Sequence, residues 1–236
     1  MHTRKSSLHG VAVTTAALAL GLGAAVASAG NPAFLDLRGQ RPVSGDAAAG
    51  KAQSTVCSAC HGTSGLGVSP MFPNLAGQSA TYLYVQLKSF NGGQRRNPVM
   101  APMAAALDDA AMRDLATYFA SLPAKPRDGA AAASPRGALL FKAGDPARGI
   151  PPCQGCHGKA GEGPRSAADV AGDAPRPPWS TIPRLRGQSA VYLAKALHDF
   201  RGGERAGTSN ARIMQGVAKS LDEADIQALA DYLASQ

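Results

Sequence analysis

Large aromatic side chains are scarce. One Trp, five Tyr and six Phe make up 5% of 236 residues. A chain so poor in rings builds a thin core unaided, so other apolar mass is expected to complete it. Long apolar runs are absent beyond the first 29 residues, which excludes a later membrane-spanning helix. No dense Lys/Arg cluster occurs, so nucleic acid is not the expected partner. No alternating strand pattern stands out, which leaves helices as the regular structure. The first 29 residues differ from the rest. Arg4 and Lys5 precede an apolar stretch, Val11 to Val26, that ends in Ala27-Ser28-Ala29. A basic start, an apolar centre and a small-residue end predict a secretory leader cleaved after Ala29, with a retained membrane anchor as the alternative. Cleavage removes two of the 24 basic residues, leaving 22 against 16 acidic ones, a net +6. That surplus is spread evenly over both halves, which suits a solvated surface and an acidic docking partner.

Cysteine is also sparse, and its spacing carries the chemistry. The four residues fall as Cys57-Ser58-Ala59-Cys60-His61 and Cys153-Gln154-Gly155-Cys156-His157. C-x-x-C followed at once by His is the attachment signature of c-type haem. Two thiols three residues apart can each add to one haem vinyl group, and the adjacent imidazole can ligate iron. Other readings fit less well. A four-cysteine zinc site would span an unusually long interval between its pairs and leave both His unexplained. A thioredoxin-like dithiol would need a βαβ pattern. Two disulfides across four-residue loops would be strained and would stabilise little. Two haem c groups are therefore expected, on Cys57, Cys60, Cys153 and Cys156, with His61 and His157 as proximal ligands.

The chain also repeats itself. Residues 75–95, beginning Leu75-Ala76-Gly77-Gln78-Ser79-Ala80, align with 185–205 at an offset of 110, and 12 of 21 positions are identical. Residues 107–122 align with 221–236 at an offset of 114. The second copy carries extra residues around Gly161 to Thr181 and four more before its last helix. A low-spin electron-transfer haem takes a sixth ligand, commonly Met. Met214 is the one Met of the second copy, and Met100 is its counterpart at the same offset of 114. These two are the expected ligands. Met103 competes for the role, and Met112 reads as core. Helices are expected from about Asp46 into Cys57, over Leu83–Phe90 and Leu193–Phe200 with Gly-Gly ends, and after Asp108 and Asp222 as N-caps.

With these residues assembled, the chain resembles tandem class I cytochrome c domains and specifically the diheme cytochrome c4 family. The resemblance implies an all-α fold of two domains, each wrapped around one covalently bound haem c. The expected layout is a leader at 1–29, domains at 30–125 and 136–236, and a linker at 126–135. It implies the axial pairs His61/Met100 and His157/Met214, and carbonyls of Pro73 and Pro183 that accept the Nδ1 protons of the two histidines. It offers Tyr82, Tyr192, Arg95 and Arg205 as neighbours of haem propionates or of the domain interface, or simply as a partly buried Tyr pair and solvated Arg pair. The Pro-rich insertion around Trp179 either reshapes one haem edge or is a loop, and His198 reads as surface. The implied function is periplasmic single-electron transport, without catalysis, between donors such as a quinol-oxidising complex and a terminal oxidase or reductase. A haem-copper oxidase is a typical partner, and peripheral membrane association fits. The alternatives are a haem subunit of a periplasmic dehydrogenase, or a diheme enzyme such as a peroxidase or a thiosulfate-oxidising protein.

Overall fold

The computed structural model describes Met1 and residues 34–126, 134–164 and 179–236. The expected leader, residues 127–133 of the expected linker and most of the Pro-rich insertion lie outside the described residues. Residues Asn31–Gln236 form one compact unit. Among the described residues its regular structure is helical, apart from isolated β-bridges and short 3-10 turns.

The first half runs through α1 (Ala47–Gln53), α2 (Thr55–His61), α3 (Ala80–Asn91), α4 (Met100–Ala105) and α5 (Asp109–Ser121). The second repeats the order as α6 (Pro135–Ala143), α7 (Gln154–His157), α8 (Ala190–Gly202), α9 (Ser209–Lys219) and α10 (Glu223–Ala234). Side-chain caps start these helices by satisfying first-turn N–H groups. Asp46, Asp108, Ser79, Ser189 and Asp222 all serve in this way. Ser134 caps α6 with Pro135 as its first residue, so the end of the expected linker belongs to a helix. The helix expected from Asp46 to the first cysteines is broken at Ser54. The buried Ser54 hydroxyl donates to the Lys51 carbonyl at 2.8 Å, competing with the backbone ladder. The bend places Cys57 to His61 on a helix of their own. The four extra residues of the second copy lengthen α9 to 11 residues, against six for α4.

Each half packs its first helix across its last. Gly50 on α1 and Gly137 on α6 mark the two crossings. A Cβ at either would collide with a backbone carbonyl, of Asp114 or of Ala228. Around the crossings lie two apolar cores. One gathers Leu37, Leu83, Val85, Met112, Leu115 and Phe119. The other gathers Leu140, Phe141, Ile150, Ile226, Leu229 and Leu233. Met112 is 1% exposed, as core filler should be. The cysteines Cys57 and Cys153 pack against the rims of the two cores. The start of the first half is stitched onto the second. Leu35 N–H donates to the Gly207 carbonyl at 2.9 Å, and Leu37 N–H donates to Ser209 Oγ at 3.0 Å.

Candidate functional site

Cys57 and Cys60 stand three residues apart on α2, so both thiols share one helix face. His61 follows at the C-terminal end and is 7% exposed. Its Nδ1 lies 3.0 Å from the Pro73 carbonyl oxygen, which fixes the tautomer with the proton on Nδ1. Nε2 is thereby left with its lone pair free for a metal. Burial pushes the His61 pKa down, and the Pro73 hydrogen bond only partly opposes it, so the ring is neutral at pH 7. The second half repeats this geometry. His157 is 6% exposed, Nδ1 lies 3.0 Å from the Pro183 carbonyl oxygen, and burial again lowers its pKa.

Among the described residues, backbone bonds tie down the ends of both segments between His and Pro. Val68 N–H returns to the Cys60 carbonyl, and Gly163 N–H to that of His157. Leu75 and Ala76 donate to Gly65 O, while Leu185 and Arg186 donate to Gly161 O. The glycine after each His makes the turn possible. Gly62 has φ 73° and Gly158 φ 84°, a region that penalises side chains, and a Cβ would strike the carbonyl of Leu66 or of Gly163. Sequence reasoning missed both, although Gly follows His in each copy.

None of the four cysteines is paired in a disulfide, so the two-disulfide alternative does not form. Among the described residues no group of three or more His, Cys, Asp or Glu gathers as a metal site, so the four-cysteine zinc alternative does not form. Paired thiols beside a neutral, oriented imidazole, twice over, fit haem c. The repeat-matched Met100 and Met214 are both half-buried. Met100 opens α4, with its N–H on Asn97 Oδ1 at 2.8 Å, and Met214 lies within α9. Met103 is 43% exposed.

The two halves meet through a reciprocal set of bonds that obeys the 110-residue offset. Gln78 Nε2 donates to Arg184 O at 2.9 Å, and Arg184 N donates to Gln78 Oε1 at 2.8 Å. In the mirror pair, Gln188 Nε2 donates to Asn74 O at 2.9 Å and Asn74 N to Gln188 Oε1 at 2.8 Å. Ser79 Oγ donates to Ser180 O, and Ser189 Oγ to Pro70 O. Arg95 Nη2 donates to Tyr192 OH at 3.0 Å, and Arg205 Nη2 to Tyr82 OH at 3.2 Å. The interface is thus isologous, like that of a two-fold dimer. Tyr82, Tyr192, Arg95 and Arg205 therefore belong to it, and the solvated-Arg reading fails for Arg205, which is 5% exposed. Burial alone would raise the Tyr192 pKa, yet the guanidiniums of Arg95 and Arg205 bring it below the usual value. The Gln pair went unassigned in the sequence, although L-x-G-Q-S occurs in both copies. The described end of the insertion, Trp179–Thr181, is a 3-10 turn against α3. His198 is a partly exposed side chain 3.4 Å from Glu223.

The family described as Cytochrome c matches residues 47–123 and 135–236, one match for each half. Cytochrome c4 of Pseudomonas aeruginosa is 38% identical over 199 residues, covering 84% of this chain and 92% of that one. A thiosulfate dehydrogenase electron acceptor of Stutzerimonas stutzeri is 37% identical over 185 residues, covering 76% of this chain and 78% of that protein. Reduced recombinant cytochrome c4 from Pseudomonas stutzeri superposes with a TM-score of 0.71 at 36% identity, covering 81% of this chain and 99% of the other. Family, relatives and architecture agree with the twinned C-x-x-C-H geometry: the chain belongs to the cytochrome c family, in its diheme cytochrome c4 group, and its cofactors are two covalently bound haem c.

Proposed function

We propose that this diheme cytochrome works as a periplasmic single-electron shuttle, exported by the leader at 1–29, with His61/Met100 and His157/Met214 as its axial pairs. The domains of this reading are 30–125 and 136–236, joined through 126–135. Haem c supplies one-electron ferric/ferrous chemistry when bound. The chain's residues do the rest. Cys57, Cys60, Cys153 and Cys156 hold the cofactors as thioethers. The Pro73 and Pro183 carbonyls hold the Nδ1 protons and make each imidazole a stronger donor. Arg95, Arg205, Tyr82 and Tyr192 offer N–H and O–H donors to propionates at the interface. In this reading the protein carries electrons and catalyses no reaction itself.

The observation that carries this reading is the pair of buried, identically oriented imidazoles in two halves locked together by reciprocal hydrogen bonds. Such a lock limits reorganisation between two redox centres. The donor in this reading is a membrane-bound quinol-oxidising complex and the acceptor a haem-copper terminal oxidase, met by the evenly basic surface. A relative named as a thiosulfate dehydrogenase electron acceptor favours a second reading, in which a periplasmic dehydrogenase is the donor.

Visible spectra of the exported protein, with haem quantified per chain, test the assignment. Two low-spin haems and a far-red Met-to-ferric band are expected. Met100→Ala and Met214→Ala should each remove about half of that band and Met103→Ala none of it. A high-spin haem that binds carbon monoxide readily would overturn the carrier reading. Stopped-flow reduction by quinol-oxidising membranes, or by thiosulfate with its dehydrogenase, separates the two donors.

A further inference from the structure

The four extra residues of the second copy fall where the first half grips it. Four residues separate Arg95 from Met100, and eight separate Arg205 from Met214. Gly207, Thr208 and Ser209 lie within those eight, at the entry to α9. Residues 35–37, from the start of the first half, run alongside them as a strap. Leu35 pairs with Thr208 in a parallel bridge. Leu35 N–H donates to the Gly207 carbonyl at 2.9 Å, and Ser209 N–H donates to the Leu35 carbonyl at 3.1 Å. Leu37 N–H donates to Ser209 Oγ at 3.0 Å. The strap is itself anchored, because Leu37 is 2% exposed in the first core and Leu35 packs against that core. Gly207 permits the close approach of the two halves here: a Cβ would collide with the backbone of Gln94.

α9 passes this grip on to Met214. Thr208 caps the helix by accepting from Ala211 N–H at 3.1 Å, and Ser209 is its first residue. Met214 lies five residues further on, about 7–8 Å along the helix axis. Asn210, one turn before Met214 and on the same face, donates through Nδ2 to Thr181 Oγ1 at 2.6 Å. Thr181 stands two residues before Pro183, whose carbonyl holds His157 Nδ1. One bond therefore ties the Met214 face of α9 to the segment that orients His157, while the strap fixes the end of the same helix from the other half. α4 starts differently. Asn97 Oδ1 accepts from the N–H groups of Val99 and Met100, all within the first half.

We propose that residues 35–37 position Met214 for the second haem, with Ser209 as the side chain through which they act. The sixth ligand of the haem on Cys153/Cys156 is held in part by the other half, whereas α4 is capped from within its own. Ser209 is a positioning residue, acting through α9. Its hydroxyl adds little to the helix itself, since Ala is the better helix former. What Ser209→Ala removes is the acceptor of the Leu37 N–H, and with it a bond between the halves. A looser entry to α9 then lets Met214 give way more readily to a competing ligand. The inference rests on Met214 being the second axial Met of the carrier reading.

Imidazole competes with Met for ferric iron, so titrating the far-red band of the diheme protein with imidazole tests this. Met100→Ala and Met214→Ala assign the two halves of the band. In Ser209→Ala the Met214 half should be displaced at about fivefold lower imidazole, the worth of one hydrogen bond. The Met100 half should titrate as before, and Ser209→Thr, which keeps the hydroxyl, should match the unmodified protein. Two unmoved halves overturn the proposal, even if Ser209→Ala lowers thermal stability, and so does an equal shift of both. Should Ser209→Ala fail to load both haems, Gly207→Ala keeps the donors and acceptors of the strap but drives α9 away from Gln94. It should shift the Met214 half in the same sense, and no shift there overturns the proposal as well. A Met214→Ala protein that kept the whole band would instead refute the axial pair of the carrier reading.

Discussion

Gln78→Ala is the substitution whose cost the interface geometry defines best. The side chain is 7% exposed and makes two bonds across the halves, both to the backbone of Arg184. Alanine leaves that N–H and that carbonyl without partners at a nearly buried seam. Each such bond is worth about 1 kcal/mol net, so the expected loss is about 2 kcal/mol. For a folded unit of this size that lowers Tm by about 4–8 °C. Two-fold symmetry demands the same of Gln188→Ala, which strips the backbone of Asn74. The double variant should lose less than twice as much, because Asn74 Nδ2 also bonds the Gly187 carbonyl and the two sites share one cleft. Thermal unfolding of the diheme protein, followed by the Soret band and by far-ultraviolet dichroism, measures this. Shifts under about 1 °C, or destabilisation by only one of the two, would refute the claim that the reciprocal bonds hold the halves together.

Two further outcomes follow from the same geometry. Asp225 is fully buried at the start of α10, held by Arg148 Nη1 at 2.7 Å and by Arg136, whereas its counterpart in the first half is Ala111. Burial alone would raise its pKa, but the arginine and backbone hydrogen bonds outweigh that and keep it below the usual value. A depressed carboxylate pKa contributes stability that is present above the unfolded value of about 3.9 and is lost as pH falls through the folded one. Asp225→Asn should therefore cost about 2 kcal/mol at pH 7 and progressively less below pH 4, in denaturant titrations across that window. Gly62→Ala places a side chain at φ 73° and against the Leu66 carbonyl. It should lower haem incorporation at Cys57/Cys60 while leaving Cys153/Cys156 loaded, as mass spectrometry of tryptic haem peptides would show.

The chemistry of the sites was legible because it is local. C-x-x-C-H needs only one turn of helix to bring two thiols and an imidazole together, and the helix caps at Asp46, Asp108 and Asp222 are decided within a few residues. The repeat paired Met100 with Met214 by counting alone, and both side chains are half-buried. The break at Ser54 was hidden because Ser is tolerated inside helices, and only its bond to Lys51 reveals that it ends one. Gly50 and Gly137 were hidden for a related reason: what forbids a Cβ there is the backbone of a helix more than 60 residues away in the chain.

The sequence by itself determined that there are two haem sites, that they are copies, and which helices frame them. Only the tertiary structure decided how the copies face each other. Gln78 and Gln188 are ordinary polar residues until each is seen to satisfy the other half's backbone, and Ser209 gains meaning only beside the Leu37 N–H of the first half. Local motifs specify what binds, because the needed atoms lie within a turn of one another. Contacts between the copies span more than 90 residues, and they depend on a packing that no short stretch encodes.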